Sequence, residues 1–259
     1  MEVCFLGTGT SQGVPMIGCE CPICRSPDPR NKRSRTSVHV VMSGTRIQVD
    51  AGPEFRLQCI SNAITQIDFF ILTHGHADHI MGMDDLRRFC DNREGHALPV
   101  FSSPEALECV GRIYPYAILD RAATRGYPAF ELREMPEVLE GSYGRIRRTW
   151  LPHGDIEVLG LVFEEAGSGK KFVYYTDCKS VSPEQRAMAQ GADLVVLDGL
   201  RQTPHPSHMT IKEATEAALD IGASQTYLTH LTHTVDHAEV EAGLPRGVRL
   251  AFDGLRVVL

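Results

Sequence analysis

The segment Phe69-Phe-Ile-Leu-Thr-His-Gly-His-Ala-Asp-His79 places His74, His76, Asp78 and His79 within six positions, directly after an apolar run. Buried imidazoles need hydrogen-bond partners, and three protonated imidazoles beside one carboxylate repel one another. A divalent cation resolves both problems, because it keeps imidazole neutral and occupies a ring nitrogen. Neighbours along one turn point in divergent directions, so the spacing predicts two cations. His74 and His76 face one of them, Asp78 and His79 the other. Further donors follow apolar runs elsewhere: His153 after Trp150-Leu-Pro152, Asp177 after Val173-Tyr-Tyr-Thr176, and His230 after Tyr227-Leu-Thr229. Together they complete two donor sets, with Asp177 able to bridge the cations.

A second cluster lies in Gly18-Cys-Glu-Cys-Pro-Ile-Cys24, where three of the eight cysteines crowd together. The first residues, MEVCFLGTGTSQG, lack the cationic start and apolar run of a secretion signal. No stretch approaches the ~18–20 apolar residues of a membrane span. The expectation is a soluble cytoplasmic protein, in which thiols stay reduced and do not build a disulfide framework. Structural zinc takes four ligands, so Cys19, Cys21 and Cys24 leave one place vacant. His233, three residues after His230, is the natural fourth. It would tie the loop to the strand end that feeds the first cluster. Cys4, Cys59, Cys90, Cys109 and Cys178 read as buried small hydrophobes.

The elements that must carry these residues are short. Strand-type runs occur at Val3–Leu6, Ser37–Met42, Arg46–Asp50, Phe69–Leu72, Pro99–Phe101, Gly160–Glu164, Phe172–Thr176, Leu194–Leu197, Thr226–Thr229, Arg249–Phe252 and Arg256–Leu259, with a hairpin at Ser43-Gly44. Helix starts are marked by Thr210 with Glu213, ahead of the stripe Ala214, Ala217, Ala218 and Ile221, and by Ser182-Pro183 with Gln185. Further helices are expected over about Met83–Arg93 and Asp236–Ala242. The pattern suggests sheets packed together with helices outside. The stretch from about Ser103 to Tyr143 offers few readable motifs.

The turn Thr73-His-x-His-x-Asp-His79, followed in order by His153, Asp177 and His230, resembles the signature of the metallo-β-lactamase superfamily, over nearly the whole chain. That resemblance implies an α+β fold, an αβ/βα four-layer sandwich with the metals at one edge of the paired sheets. Asp50, in Val49-Asp-Ala-Gly52, resembles the superfamily's buried aspartate that orients a metal-binding histidine. Leu6-Gly-Thr-Gly-Thr-Ser-Gln-Gly-Val-Pro15, the cysteine loop, Thr229-His-Leu-Thr-His233 and Phe252-Asp-Gly254 resemble the narrower PhnP-like branch, whose name-giving member opens a cyclic ribose phosphate. Cys19, Cys21, Cys24 and His233 match that branch's structural zinc site.

The resemblance implies a metal-dependent phosphodiesterase acting on small, cyclic ribose or nucleotide phosphodiesters. His74, His76 and His153 would hold one metal, Asp78, His79 and His230 the other, with Asp177 spanning both. Water held between them is then acidified from a pKa of 15.7 toward about 7 and serves as the nucleophile. Mixed imidazole and carboxylate ligation suits Mn²⁺, Zn²⁺ or Fe²⁺, while the thiolate site favours one structural Zn²⁺. His208, in Pro206-Ser-His-Met-Thr210, matches the family histidine near the substrate and is assigned general-acid or phosphate-stabilising work. The same turn also suits helix capping. A homodimer is suggested by the resemblance alone.

The chain has 259 residues, 42% hydrophobic and 23% charged, values that exclude a disordered or fibrous protein. It reads as a single hydrolase domain over residues 1–259, with a zinc-binding loop at 18–24. A net charge of −7 argues against broad adhesion to nucleic acid or anionic membranes; a small-molecule phosphodiester as partner is what the resemblance implies. A tRNA 3′-processing endonuclease would bring a basic surface, and only Arg145, Arg147 and Arg148 cluster here. That cluster also suits a solvated strand face. A thioester hydrolase or β-lactamase would share the metal ligands without explaining the cysteine loop. A non-hydrolytic relative of the pyrroloquinoline quinone pathway often loses some metal ligands, whereas all seven positions are filled.

Overall fold

The computed structural model describes every residue except Gly95. The first half of the chain supplies strands β1 (Glu2–Gly7), β2 (Ser37–Met42), β3 (Thr45–Val49), β4 (Phe69–Ile71), β5 (Leu98–Ser102) and β6 (Phe130–Glu134). The second half supplies β7 (Val138–Gly141), β8 (Gly144–His153), β9 (Ile156–Glu165), β10 (Lys171–Tyr175), β11 (Leu194–Asp198), β12 (Gln225–Thr229), β13 (Val248–Leu250) and β14 (Arg256–Val258). They form two seven-stranded sheets, ordered β14-β1-β2-β3-β4-β5-β6 and β13-β12-β11-β10-β9-β8-β7.

The period-2 alternation of a strand decides what each face buries. In β1, Val3 and Phe5 point between the sheets while Cys4 and Leu6 point to the opposite face. Between the sheets Val38, Val40, Ile47 and Ile71 meet Phe163, Phe172, Tyr174 and Val196. Helices α1 (Phe55–Ser61), α2 (Ala77–Ile80), α3 (Arg87–Asp91) and α4 (Pro104–Ile113) accompany the first sheet, while α5 (Pro183–Ala189), α6 (Ile211–Ile221) and α7 (His237–Ala242) accompany the second. Phe55, Phe89, Ala106 and Val110 cover the outer face of one sheet. Ala189, Ala214, Ala217 and Ile221 cover that of the other. The result is the expected α+β, αβ/βα four-layer sandwich.

Both anticipated capping boxes are formed, with Thr210 and Glu213 exchanging bonds of 3.1 and 2.7 Å and Ser182 pairing likewise with Gln185. Ser43 and Gly44 turn the β2–β3 hairpin with φ of 45° and 82°, as a type I′ turn requires. Three expectations are corrected. The helix read over Met83–Arg93 is a 3₁₀ turn, Met83–Leu86, followed by α3, because Met83, Leu86 and Phe89 bury at a spacing of three. The unreadable stretch holds α4, β6 and β7, and β8, whose arginines already suggested a strand face, follows it. Cys109 is only half-buried, since it packs against the core on one side and lines a cleft on the other.

Arg145, Arg147 and Arg148 lie along β8. Arg145 pairs with Glu164, Arg147 with Glu137 at 3.7 Å, and Arg148 donates to the Met135 carbonyl at 2.9 Å. Arg145 and Arg147 share one strand face and have carboxylate partners, while Arg148 lies on the other with its guanidinium over the Trp150 ring.

Strand direction is what assembles the site. β8 and β10 both run antiparallel to β9, and β10, β11 and β12 are mutually parallel. Their C-terminal ends therefore meet at one edge. Parallel β3 and β4 bring their own C-terminal ends together in the opposite sheet. No helix among the described residues is long and apolar enough to cross a membrane.

Candidate metal centre

Beyond β4 the chain passes through Thr73 to His79 and enters α2, while β8 ends on His153. Nε2 of His74 lies 2.9 Å from Nδ1 of His76, and Nε2 of His153 lies 3.3 Å from that same Nδ1. The other ring nitrogens identify the tautomers. Thr73 donates its hydroxyl to Asp50 at 2.8 Å, so that oxygen accepts from His74 Nδ1 at 3.0 Å. His153 Nδ1 donates to the Ser207 carbonyl at 3.1 Å. Both Nε2 atoms therefore present lone pairs toward His76. Lone pairs facing one another fit a shared cation. Burial holds His74 well below the ordinary imidazole value and His153 down at about 4, which keeps these rings neutral ligands.

The second set joins both sheets. His79 Nε2 and His230 Nε2 each lie 3.2 Å from Asp177, and 3.4 and 3.8 Å from Asp78. Neither Nε2 has hydrogen-bond geometry to a partner, although both atoms are buried. A buried polar atom without a partner costs about 1–3 kcal/mol, and a cation supplies the missing contact. Burial opposes charge on both rings, yet Asp177 and its neighbouring carboxylates hold His79 well above its ordinary value and raise His230 to about 9. The surrounding carboxylates thus favour positive charge at this position, as a cation would supply.

Asp50 stands beneath this set, as the sequence suggested. It is fully buried, accepts from His79 Nδ1 at 2.8 Å, and receives the Thr73 amide at 2.8 Å. One carboxylate therefore orients both His74, through Thr73, and His79. Asp50, Asp177 and His230 have φ of 60°, 53° and 61°, the left-handed region that non-glycine residues seldom occupy. The backbone bends there to aim these side chains at the sheet edge.

His208 stacks on His230, with ring centroids 4.6 Å apart and planes at 15°, and lies 4.7 Å from His153. Its Nδ1 bonds Asp198 at 2.5 Å. The sequence reading missed Asp198. It is the last residue of β11, between the strands that end near Asp177 and His230, and it also accepts the Cys178 amide at 2.9 Å. The same signal that exposed the other donors, a polar residue closing an apolar run, was present in Leu194-Val-Val-Leu-Asp198. The capping role of the His208 turn falls to Thr210, which caps α6. His205 lies 5.0 Å from His208 and bonds within its own turn through Ser207.

Away from this centre, Cys19, Cys21, Cys24 and His233 present ligand atoms that all lie within 4.8 Å of one another. His233 Nδ1 is 3.4 Å from Cys19 Sγ and 3.5 Å from Cys21 Sγ. Three thiols and an imidazole at this spacing fit tetrahedral zinc.

A cleft of about 900 Å³ opens on the His74 and His76 side, walled by Trp150, Pro152, Ile156, Ala106 and Cys109. A second cavity of about 720 Å³, between α1 and α3, contains none of the site residues.

Two sheets with parallel strand ends converging on paired histidine and aspartate sets define a class, and the comparisons with known proteins agree with it. The beta-lactamase superfamily domain matches residues 45–231. A crystal structure of a diphosphatase from the PhnP family superposes with a TM-score of 0.90 and 33% identity, covering 100% of this chain and 97% of that one. The chain belongs to the metallo-β-lactamase superfamily, with its metal-dependent hydrolase fold, and lies close to PhnP within it. An octanoyltransferase of Porphyromonas gingivalis is 33% identical over 270 residues; the chain spans only about half (52%) of that relative's length. Coenzyme PQQ synthesis protein B of Methylorubrum extorquens is 26% identical over 226 residues, covering 77% of this chain and 73% of the relative.

Proposed function

We propose that the protein hydrolyses small phosphodiesters with the help of two divalent metal ions, within one hydrolase domain spanning residues 1–259. The observation that carries the reading is the position of Asp177. Its carboxylate is close to Asp78, His79 and His230 and also to His153 and His208, so it joins the two donor sets. In this reading His74, His76 and His153 hold one ion, Asp78, His79 and His230 the other, and Asp177 spans both. Mn²⁺, Zn²⁺ and Fe²⁺ all suit such donors. When bound, the ions supply Lewis acidity, activating water and offsetting charge on the phosphoryl oxygens.

The chain's own residues do the rest. Asp50 and the Ser207 carbonyl fix imidazole tautomers, so that lone pairs point into the site. His208 is proposed as the general acid. With Asp198 holding its Nδ1, a proton on Nε2 is available to the leaving alkoxide, and Asp198 stabilises the charged ring before transfer. The cleft beside His74 and His76 receives the organic part of the substrate. Support comes from the PhnP-family diphosphatase, whose reaction also breaks a bond to phosphorus. The carboxylates paired with Arg145 and Arg147 leave little free basic surface on β8, which supports a small substrate over a nucleic acid.

Acyl thioester hydrolysis is the second reading, suggested by an acyl-transferring relative, the octanoyltransferase of which this chain spans 52%. The test is turnover of bis-p-nitrophenyl phosphate, a cyclic nucleotide and a thioester, each with added Mn²⁺ or Zn²⁺. Diester cleavage with an inert thioester is expected. Thioester cleavage alone rejects the reading, and turnover of none of them makes this a binding relative.

A further inference from the structure

His74, His79 and His153 each rest one ring nitrogen on a protein oxygen, from Thr73, Asp50 and Ser207, and aim the other at the candidate metal centre. His230 differs. Its Nε2 faces Asp177 at 3.2 Å, so Nδ1 is the nitrogen turned away from the centre. That Nδ1 is buried and has no partner among the described residues. A neutral imidazole that ligates through Nε2 carries its proton on Nδ1, and this N–H needs an acceptor.

Two more buried atoms close by lack a partner. Asp198 uses Oδ2 for His208 Nδ1 and for the Cys178 amide, while its Oδ1 bonds nothing. Thr229, the residue before His230, is 1% exposed and its Oγ1 bonds nothing. The fold gathers these groups. Asp198 and Thr229 are Cα partners where β11 pairs with β12, so their side chains stand next to each other on one face of the sheet. A carboxylate oxygen of Asp198, a ring nitrogen of His208 and a ring nitrogen of His230 all lie within 4.8 Å of one another. No direct bond joins Asp198 to His230, and a polar gap of this size is the span that one bridging water fills. Such a water has three partners, as an ordered buried water requires. It accepts from His230 Nδ1–H, donates to Asp198 Oδ1, and bonds the Thr229 hydroxyl.

We infer that one buried water joins His230 Nδ1 to Asp198 Oδ1 and Thr229 Oγ1, so that Asp198 positions a metal-binding histidine as well as the proposed general acid, with Thr229 as a further positioning residue. The inference rests on the two-metal reading above. It makes Asp198 the counterpart of Asp50 in the opposite sheet. Asp50 holds His79 directly and His74 through Thr73, whereas Asp198 holds His208 directly and His230 through water. One molecule then satisfies three buried polar atoms, each costly to leave unpaired. Asparagine at 198 keeps the bridge, because water accepts from an amide as readily as it donates to a carboxylate. The Thr229 hydroxyl is therefore the group whose removal tests it.

Mn²⁺ is the probe, because imidazole and carboxylate donors take it while thiolates favour zinc, with which the cysteine loop is kept loaded. Thr229→Val keeps the side-chain shape and removes the hydroxyl. It should weaken Mn²⁺ binding, read from the paramagnetic resonance of the free ion, by about tenfold, and Thr229→Ser by less than about threefold, the first being the low end of the loss for an outer partner of a metal ligand. Crystals of the Mn²⁺-loaded wild type should show water density within hydrogen-bond distance of His230 Nδ1, Asp198 Oδ1 and Thr229 Oγ1. No water there, equal Mn²⁺ affinity in Thr229→Val, a serine variant as weak as the valine one, or an unfolding midpoint that falls equally with and without Mn²⁺ would each overturn the bridge. A wild type that takes up no Mn²⁺ defeats the metal reading, and the bridge with it. One that binds Mn²⁺ yet cleaves no phosphodiester defeats the hydrolytic reading and leaves the bridge standing. Should Thr229→Val not fold, the wild-type density decides alone.

Discussion

Replacing Asp198 by asparagine isolates one charge beside the proposed general acid. The Asp198 oxygen that bonds His208 Nδ1 at 2.5 Å also accepts the Cys178 amide, while the other oxygen has no partner. An amide therefore fits with its oxygen toward both donors and its NH₂ in the unpartnered position. Geometry survives and charge is lost. A hydrogen bond to a charged group contributes about 1.5–3 kcal/mol net, and each ~1.4 kcal/mol is a tenfold change in rate, so Asp198→Asn should slow turnover about 10- to 150-fold. The assay is a series of aryl phosphodiesters with leaving phenols of rising pKa, with bound metal measured alongside. The loss should grow as the leaving group worsens, while metal content stays at the wild-type level. His208→Ala should lose at least as much, and the double variant no more than His208→Ala alone, because the two residues act as a unit. Wild-type rates across the series, or a loss that tracks departing metal, would refute the dyad.

Asp177→Ala should abolish turnover, by more than about 10³-fold, together with active-site metal occupancy, because it removes the carboxylate common to both donor sets. Elemental analysis and the diester assay read it, and wild-type turnover in that variant rules out the bridge. Cys21→Ala should release the cage metal and lower Tm by roughly 5–10 °C, with the catalytic donors untouched; an unchanged melting curve would remove zinc from the loop. His39, buried in β2 against Gln48, is pushed from the ordinary 6.5 to about 4 by burial. A lowered histidine value means the native state resists protonation, so its contribution is fully present above pH 6.5 and is lost as pH falls toward 4. That amounts to up to about 3 kcal/mol. His39→Leu should remove this component, seen as a shallower fall of unfolding free energy over pH 4–6.5 than wild type; parallel curves would contradict it.

The parts of the site legible in the sequence share a physical property: their chemistry is improbable without a metal. His74, His76, Asp78 and His79 declare themselves because so many titratable groups in one turn have no other economical use. Cys19, Cys21 and Cys24 do so for the same reason. His153, Asp177 and His230 are single residues at the ends of apolar runs, readable only once the turn supplies a reason to look. Asp198 closes β11 in the same way and was overlooked because the ligand sets were already full. Its proposed role runs through His208, and local sequence does not encode a partner for a side chain ten residues away. The layered fold was legible where strands bury both faces, as in β1 and β10 to β12. It was illegible from Ser103 to Tyr143, where β6 and β7 carry exposed charges at the sheet edges.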